Sequence, residues 1–334
     1  MSLLVVGSVA FDDITTPRGR APRVLGGSGT YFGMAASFFA PVRLVGVVGE
    51  DFTAADEDVL RRRGIDTRGL EHAAGKSFFW AGEYEVNPNL RHTRRTELNV
   101  FEHFSPKLPP EYMDSAYLFL GNIAPALQCQ VRDQLGARVK LVGGDTMNFW
   151  ITGQPEAVKR FLSRLHVLTI NDSEALLLTG EHNLHRAARA IIAQGPGAVV
   201  IKRGENGATL YSHSQYFGVP GYPLEDVLDP TGAGDAFAGG MIGYLAQQGR
   251  WDDLTLRRAV VYGSVMGSFA CERFGVERLT EISRDDIEGR YQEFVALTRF
   301  AGRAPHRPGA VTAGPGRRAG ARASQPMDRD GSAL

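Results

Sequence analysis

The sequence predicts an α/β fold: a mostly parallel central sheet with helices on both faces, accompanied by a small antiparallel sheet. Three observations predict it. Short aliphatic runs alternate with helical stretches up to about residue 300. The runs are apolar at nearly every position, as strands buried on both faces are. Two segments, at about 12–16 and 76–104, break the alternation with short apolar/polar runs that have no helical period, which suits extra antiparallel strands.

In chain order, Leu3–Val6, Val42–Val48, Tyr117–Leu120, 139–142, 166–170 and Ala198–Lys202 read as buried strands. Residues 30–39, 54–63, 157–165, 173–178 and 184–193 read as the helices between them. The turn 202–207, Lys-Arg-Gly-Glu-Asn-Gly, joins two β-like runs and reads as a tight hairpin. Residues 259–270 form a helix with small residues at Ala259, Gly263, Gly267 and Ala270, the spacing of close helix packing. In parallel sheets of this kind ligands bind beyond the carboxyl ends of the strands, so the loops there are the place to look.

At 334 residues and 43% hydrophobic, the chain can bury one large core, expected over residues 1–300. A formal net charge of zero gives no reason to expect nucleic acid or an anionic membrane as partner. No apolar run is long enough to span a bilayer, and Leu3–Val6 is too short for a signal peptide. Two cysteines, Cys129 and Cys271, make neither a disulfide framework nor a metal site and fit a reducing cytoplasm. Residues 301–334 hold six Gly, four Pro, eight Ala and six Arg with almost no large apolar residue, so they read as a disordered tail.

Residues 229–243, Asp-Pro-Thr-Gly-Ala-Gly-Asp-Ala-Phe-Ala-Gly-Gly-Met-Ile-Gly, carry the chemistry. Loop residues lead into small ones, then an acid, then an apolar run to Ala246. That is a helix start with its first N–H groups uncovered, an anion site strengthened by the helix dipole. Gly232, Ala233 and Gly234 offer no side chain to block approach. Asp235 beside an anion would repel a phosphate, so its presence points to a different role, that of taking the proton of a hydroxyl that attacks phosphorus. Gly27-Ser-Gly29 is not a dinucleotide fingerprint, because Gly33 comes one position late and the preceding strand lies some twenty residues upstream.

The run 229–235, continuing to Gly239 and Gly240, resembles the C-terminal signature of the PfkB (ribokinase-like) family of carbohydrate and nucleoside kinases. The resemblance implies a fold with a β lid over the substrate, which also serves as the contact of a homodimer. It implies a sugar or nucleoside acceptor, ATP and Mg²⁺, with an activating monovalent cation as a further candidate. Gly26 and Gly27 match the N-terminal signature, where the backbone comes close to substrate hydroxyls. Tyr31 and Ala10 stand where many sugar-specific members have Asn, which leaves the acceptor's identity open. Asp12 matches the acid that accepts from two substrate hydroxyls; Asp13 is its neighbour, and strand alternation lets only one of them face the site.

Asn171 and Glu174 resemble the family's Asn-x-x-Glu motif, which holds Mg²⁺ largely through water. The same spacing is also an ordinary helix capping box. Asp145 and Asn148, beyond a strand's carboxyl end, match residues near the phosphates and metal. Lys202, Gly204 and Thr231 border the nucleotide in the resembling fold, and Gly263 and Gly267 lie beside its adenine. The aromatics Phe78, Phe79, Trp80, Tyr84 and Phe101 suit either stacking on a base or the lid's own core. Arg91, Arg94 and Arg95 read as solvated unless the acceptor already carries a phosphate.

The expected activity is therefore ATP-dependent phosphorylation of a hydroxymethyl group, with Asp235 as base and 232–235 as anion hole. A non-catalytic sugar- or nucleoside-binding sensor on the same fold is the alternative; an NAD-dependent oxidoreductase lacks its glycine fingerprint.

Overall fold

The computed structural model describes residues 2–299, so the tail expected at 301–334 lies outside the described residues. Strands run in chain order as β1 (Leu3–Val6), β2 (Ala10–Thr16), β3 (Gly19–Gly26), β4 (Val42–Val48), β5 (Asp66–His72), β6 (Phe78–Tyr84), β7 (Arg91–Glu97), β8 (Tyr117–Leu120), β9 (Leu141–Gly144), β10 (Val167–Asn171), β11 (Ala198–Lys202), β12 (Ala208–Ser212) and β13 (Tyr216–Val219). The helices are α1 (Ser28–Ala36), α2 (Ala54–Arg62), α3 (Pro125–Leu135), α4 (Asn148–Gly153), α5 (Pro155–Leu162), α6 (Asp172–Thr179), α7 (Leu184–Ile192), α8 (Ala233–Gln248), α9 (Asp253–Ala270), α10 (Glu277–Glu281) and α11 (Arg284–Thr298).

The large sheet has the order β13-β12-β11-β10-β9-β8-β1-β4-β5. It is parallel from β5 through β11, with β12 and β13 added antiparallel at one edge. Strand alternation feeds two cores. Leu3 and Val5, Tyr117 and Phe119, Ala198 and Val200 face α1, α8 and α9; Leu4 and Val6, Leu118 and Leu120, Val199 and Ile201 face α3, α5 and α7. Each such aliphatic side chain contributes about 1.5–3 kcal/mol when fully buried, so the continuous apolar runs are explained by two-sided burial.

Helix α8 is buried from Ala236 to Ala246, so it has no solvent face and no amphipathic period. It wedges between α1 and α9 because its glycines admit their backbones: a Cβ on Gly239 would strike the Phe32 carbonyl, and one on Gly240 would lie 2.8 Å from the Tyr262 carbonyl. Among the described residues no helix is long and apolar enough to cross a membrane.

The small sheet has the order β3-β2-β6-β7. The pairs β2/β3 and β6/β7 are antiparallel hairpins, joined side by side through a parallel β2/β6 pair. The large sheet differs from expectation in detail. The strand expected at 139–142 lies at Leu141–Gly144, because Gly143 and Gly144 continue the ladder beneath Ile242 and Phe161. The helix expected at 30–39 starts earlier, at Ser28.

Candidate active site

Gly232 caps α8 in the left-handed region (φ 70°) with no side-chain cap. A Cβ there would collide with the ring of Tyr31, so glycine is required by conformation and by space. The N–H of Ala233 turns toward the Pro230 carbonyl at 3.3 Å and that of Ala236 bonds Gly232 at 2.8 Å. Among the described residues the N–H groups of Gly234 and Asp235 have no acceptor, so they are the bare donors of the first turn. The approach is fixed by Asp229, fully buried, whose two oxygens accept from the N–H of Thr231 (2.8 Å) and of Gly275 (2.9 Å). Burial pushes the Asp229 carboxyl up to about 6 despite these bonds.

Asp235 and Asp145, which follows β9 directly, share a side-chain hydrogen bond. Burial raises both carboxyls. Lys202 opposes the rise at both, while the Asp235 charge adds to it at Asp145. Two adjoining carboxylates ionise together only at a cost; the bond between them raises Asp145 further and lowers Asp235, so the pair favours the charge on Asp235. The other oxygen of Asp145, Oδ1, is buried without a partner.

Asp12, on β2, is buried, whereas Asp13 turns out to bond Arg20 at 2.8 Å. A Cβ on Gly26 would overlap the Asp12 carboxyl, which is why residue 26 has no side chain. Burial, then the charges of Asp229 and Asp235, push Asp12 up to about 8. Gly27 (φ 94°) opens α1, and a Cβ there would meet the Ser8 carbonyl at 2.5 Å. Tyr31 is buried under Gly232 with its hydroxyl unpartnered, and burial and the surrounding carboxyls hold its acidity well below that of a free phenol.

Asn171 and Glu174 form a complete capping box on α6. Asn171 Oδ1 accepts from the Glu174 N–H (2.8 Å) and the Ser173 hydroxyl (2.8 Å), and Glu174 Oε2 accepts from the Asn171 N–H (3.1 Å). Asn171 pairs in register with Lys202 across β10/β11, so the box and the lysine sit together at two adjacent carboxyl ends. Lys202 Nζ lies 3.5 Å from the Gly234 carbonyl. Burial raises Glu174, opposed by Lys202. Among the described residues no cluster of three or more His, Cys, Asp or Glu is arranged to hold a metal ion.

The β6–β7 hairpin reaches this centre at two points. The Thr231 hydroxyl donates to the Tyr84 hydroxyl at 3.0 Å, and Asn89 at the hairpin tip donates to Glu205 at 2.5 Å, covering Gly204. The remaining sequence candidates have other neighbours. Gly263 and Gly267 face α8, with Phe237 and the Ala233 carbonyl against them. Asn148 is exposed and bonds its own neighbour's N–H. Phe78 stacks on Phe101 and Phe101 on Phe104 at the root of the small sheet. The sequence reading gave Asp229 no role; it took Arg91, Arg94 and Arg95 as solvated, and all three are exposed. The β6/β7 register sets Arg91 directly opposite Tyr84.

The model of the pfkB family carbohydrate kinases matches residues 12–282. This chain belongs to the pfkB family. It is 30% identical over 293 residues to the cytidine kinase of Thermococcus kodakarensis, across 84% of this chain and 96% of that one. Among solved structures, it is similar to the nucleoside kinase of Burkholderia thailandensis in complex with ADP-inosine (TM-score 0.75, 20% identity, covering 88% and 96% of the two chains). It is also similar to an E. coli protein provisionally named ribokinase II, in complex with ATP and Mg²⁺ (TM-score 0.70, 21% identity, covering 87% and 99%). At those identities the likeness to solved structures is one of fold. The pfkB chain is thus a kinase of the carbohydrate and nucleoside class.

Proposed function

We propose that this chain transfers the γ-phosphoryl group of ATP to the hydroxymethyl group of a sugar or nucleoside. The observation that carries the reading is Asp235. It adjoins Asp145 and stands on the first turn of a helix whose N–H groups at 234 and 235 have no acceptor, in a pair that favours the charge on Asp235. The acceptor oxygen forms its bond to phosphorus as its proton passes to Asp235, and the bond to ADP breaks. The N–H groups around 232–235 hold the charge on the transferred group, the positioning and charge stabilisation on which phosphoryl transfer depends.

Asp12 binds the acceptor's neighbouring hydroxyls. Its carboxyl, raised to about 8, bears a proton near neutral pH in the empty site and can both donate and accept. Tyr31, Gly26 and Gly27 complete the acceptor wall. Lys202, Gly204, Thr231 and Asn171 border the nucleotide. The free oxygens of Asp145 and Glu174 suit a Mg²⁺ that keeps most of its waters and is held mainly by phosphates, where it would neutralise their charge; Asn171 is occupied as a cap. A nucleoside is the first acceptor to test, because the relative matched along 96% of its length is a cytidine kinase. The small sheet acts as the lid, and Val86 and Leu90, exposed at its tip, are available to a second copy in a homodimer; sedimentation of Val86→Lys as a monomer would agree with that contact.

The test is ADP release from Mg-ATP over a panel of nucleosides, sugars and phosphosugars, with Asp235→Asn as control. A hit that the variant loses supports the reaction and the base. Ligand-induced thermal shifts with no ADP from any acceptor would instead support a binding-only role.

A further inference from the structure

One side chain holds the ends of β8 and β9 together. Their parallel ladder closes at the pair Leu120/Gly144, after which the chain leaves β8 for α3 and β9 for α4. The next N–H groups are still bonded, Gly121 to the Val6 carbonyl at 2.8 Å and Asp145 to the Leu120 carbonyl at 3.2 Å. The carbonyls of Gly121 and Asp145 receive no backbone N–H among the described residues. Gln128 of α3 reaches both. Its Nε2 donates to Gly121 at 2.8 Å, to Asp145 at 3.0 Å and, at longer range, to Leu120 at 3.3 Å. Three acceptors exhaust the two N–H groups of an amide nitrogen, and turning the amide over would set its oxygen against three carbonyl oxygens.

The place is one where an apolar residue would be expected. Gln128 is completely buried and lies with Val131 and Leu135 on the face of α3 turned into the core. That spacing of three and four residues is an apolar stripe. Gln128 Oε1 is buried there without a partner, which is a cost to stability. Its nitrogen, by contrast, bridges two loops that belong to different parts of the site. Asp145 adjoins Asp235 at the centre. Gly121 packs against the start of α1, where a Cβ on it would lie 3.0 Å from the Ser28 hydroxyl, one residue beyond Gly27 of the acceptor wall.

We propose that Gln128 is a positioning residue for phosphoryl transfer: its buried amide ties the Asp145 carbonyl to that of Gly121 and so sets where the Asp145 side chain stands between Asp235 and the acceptor wall. Gln128 works from inside the core, through Asp145. Without the tie, the loop after β9 keeps its N–H bond to Leu120 but loses the bond on its other side.

This inference rests on the kinase reading. It is tested with Gln128→Met, which keeps the length and removes the donor, and with Gln128→Asn, which keeps an amide one methylene short should the apolar variant not fold. Val131→Ala on the same helix face is the control for lost packing. Melting temperatures are taken first, and turnover is measured well below the lowest of them. Expected for Gln128→Met is a kcat lower by about 10²-fold, the cost of misplacing a group by about 1 Å, with KM for ATP and acceptor changed by no more than about a few-fold. Gln128→Asn should fall between it and the parent, and Val131→Ala should melt lower with kcat kept. Added to Asp145→Asn, Gln128→Met should lower kcat by no more than about two-fold, because residues acting through one another are not additive. A second readout is calorimetric binding of ADP, Mg²⁺ and aluminium fluoride, a mimic of the phosphoryl group, which Gln128→Met should weaken while keeping ADP. An active parent with unchanged kcat in both Gln128 variants overturns the assignment and leaves the kinase reading standing. A full loss repeated on top of Asp145→Asn also overturns it, since Gln128 would then act by another route. No turnover by the parent with any acceptor, together with no binding of the fluoride complex, overturns both.

Discussion

The two walls of the site are built in opposite ways. The core wall, from Asp229 to Ala246, is held by buried bonds and by close approaches that leave no space: both Asp229 oxygens are engaged, Gly232 lies against Tyr31, and Gly239 lies against the backbone of α1. The lid wall, β6 and β7, carries a strand exposed at almost every position and is held laterally by solvated ion pairs. It reaches the centre through the Tyr84–Thr231 and Asn89–Glu205 bonds. In the proposed reaction, the part that must be pre-organised for charge stabilisation is thus fixed by packing, and the part proposed to admit and release substrate is fixed by a few polar bonds.

Asp235→Asn breaks the core wall chemically and nothing else. Its kcat should fall by at least about 10²–10⁴-fold, the usual contribution of a positioned base, with nucleotide affinity within a few-fold; near-normal turnover would remove Asp235 from the mechanism. Gly232→Ala breaks the same wall mechanically. The new methyl meets the Tyr31 ring in a left-handed conformation, so a loss of about 1–3 kcal/mol in stability should accompany the loss of activity, read by denaturant titration.

Asp12→Asn sharpens the contrast through pH. The folded carboxyl is raised to about 8 from the ordinary value near 4, so the native state binds a proton that the unfolded chain releases over that range. Native stability must therefore fall as pH rises from about 4 toward about 8. The amide variant should escape that loss and melt higher than the parent at pH 8, with little difference at pH 4, while acceptor binding weakens. Equal pH dependence in the two proteins would mean that Asp12 is ionised in the fold.

On the lid side, Tyr84→Phe removes one bond across the two walls. A loss of roughly 0.5–1.5 kcal/mol in closure should appear as faster hydrogen exchange over residues 78–97, with the core unchanged. Arg94→Ala should do least: an exposed pair contributes about 0–1 kcal/mol, and turnover should not change. If Arg94→Ala disabled the protein, the lid would not be a loosely held wall.

The difference between the walls also governs what could be read from the sequence. Strands β1, β4, β8 and β11 are continuous buried aliphatic runs and lie at the expected bounds. The start of α8 was visible because a bare helix start needs small residues in sequence. By contrast β3 and β5, Gly-Arg-Ala-Pro-Arg-Val-Leu-Gly and Asp-Thr-Arg-Gly-Leu-Glu-His, are edge strands with little apolar alternation and gave no periodic signal. Burial separated Asp12 from Asp13 as alternation requires. The bond of Tyr84 to Thr231 and the lack of an ion pair at Arg91 among the described residues depend on hairpin register and on where the small sheet docks. Neither is encoded by spacing along the chain.

The contact between Tyr31 and Gly232 carries a consequence for how such a chain could be re-purposed. In the proposed reaction, the acceptor wall and the phosphoryl-binding loop share a single surface, the face of one aromatic ring. A smaller residue at 31, introduced to admit a new acceptor, would withdraw the floor from beneath the loop that must stay rigid. On that reading selectivity and rate are mechanically linked, and an altered specificity should come with a second change that refills the space under Gly232.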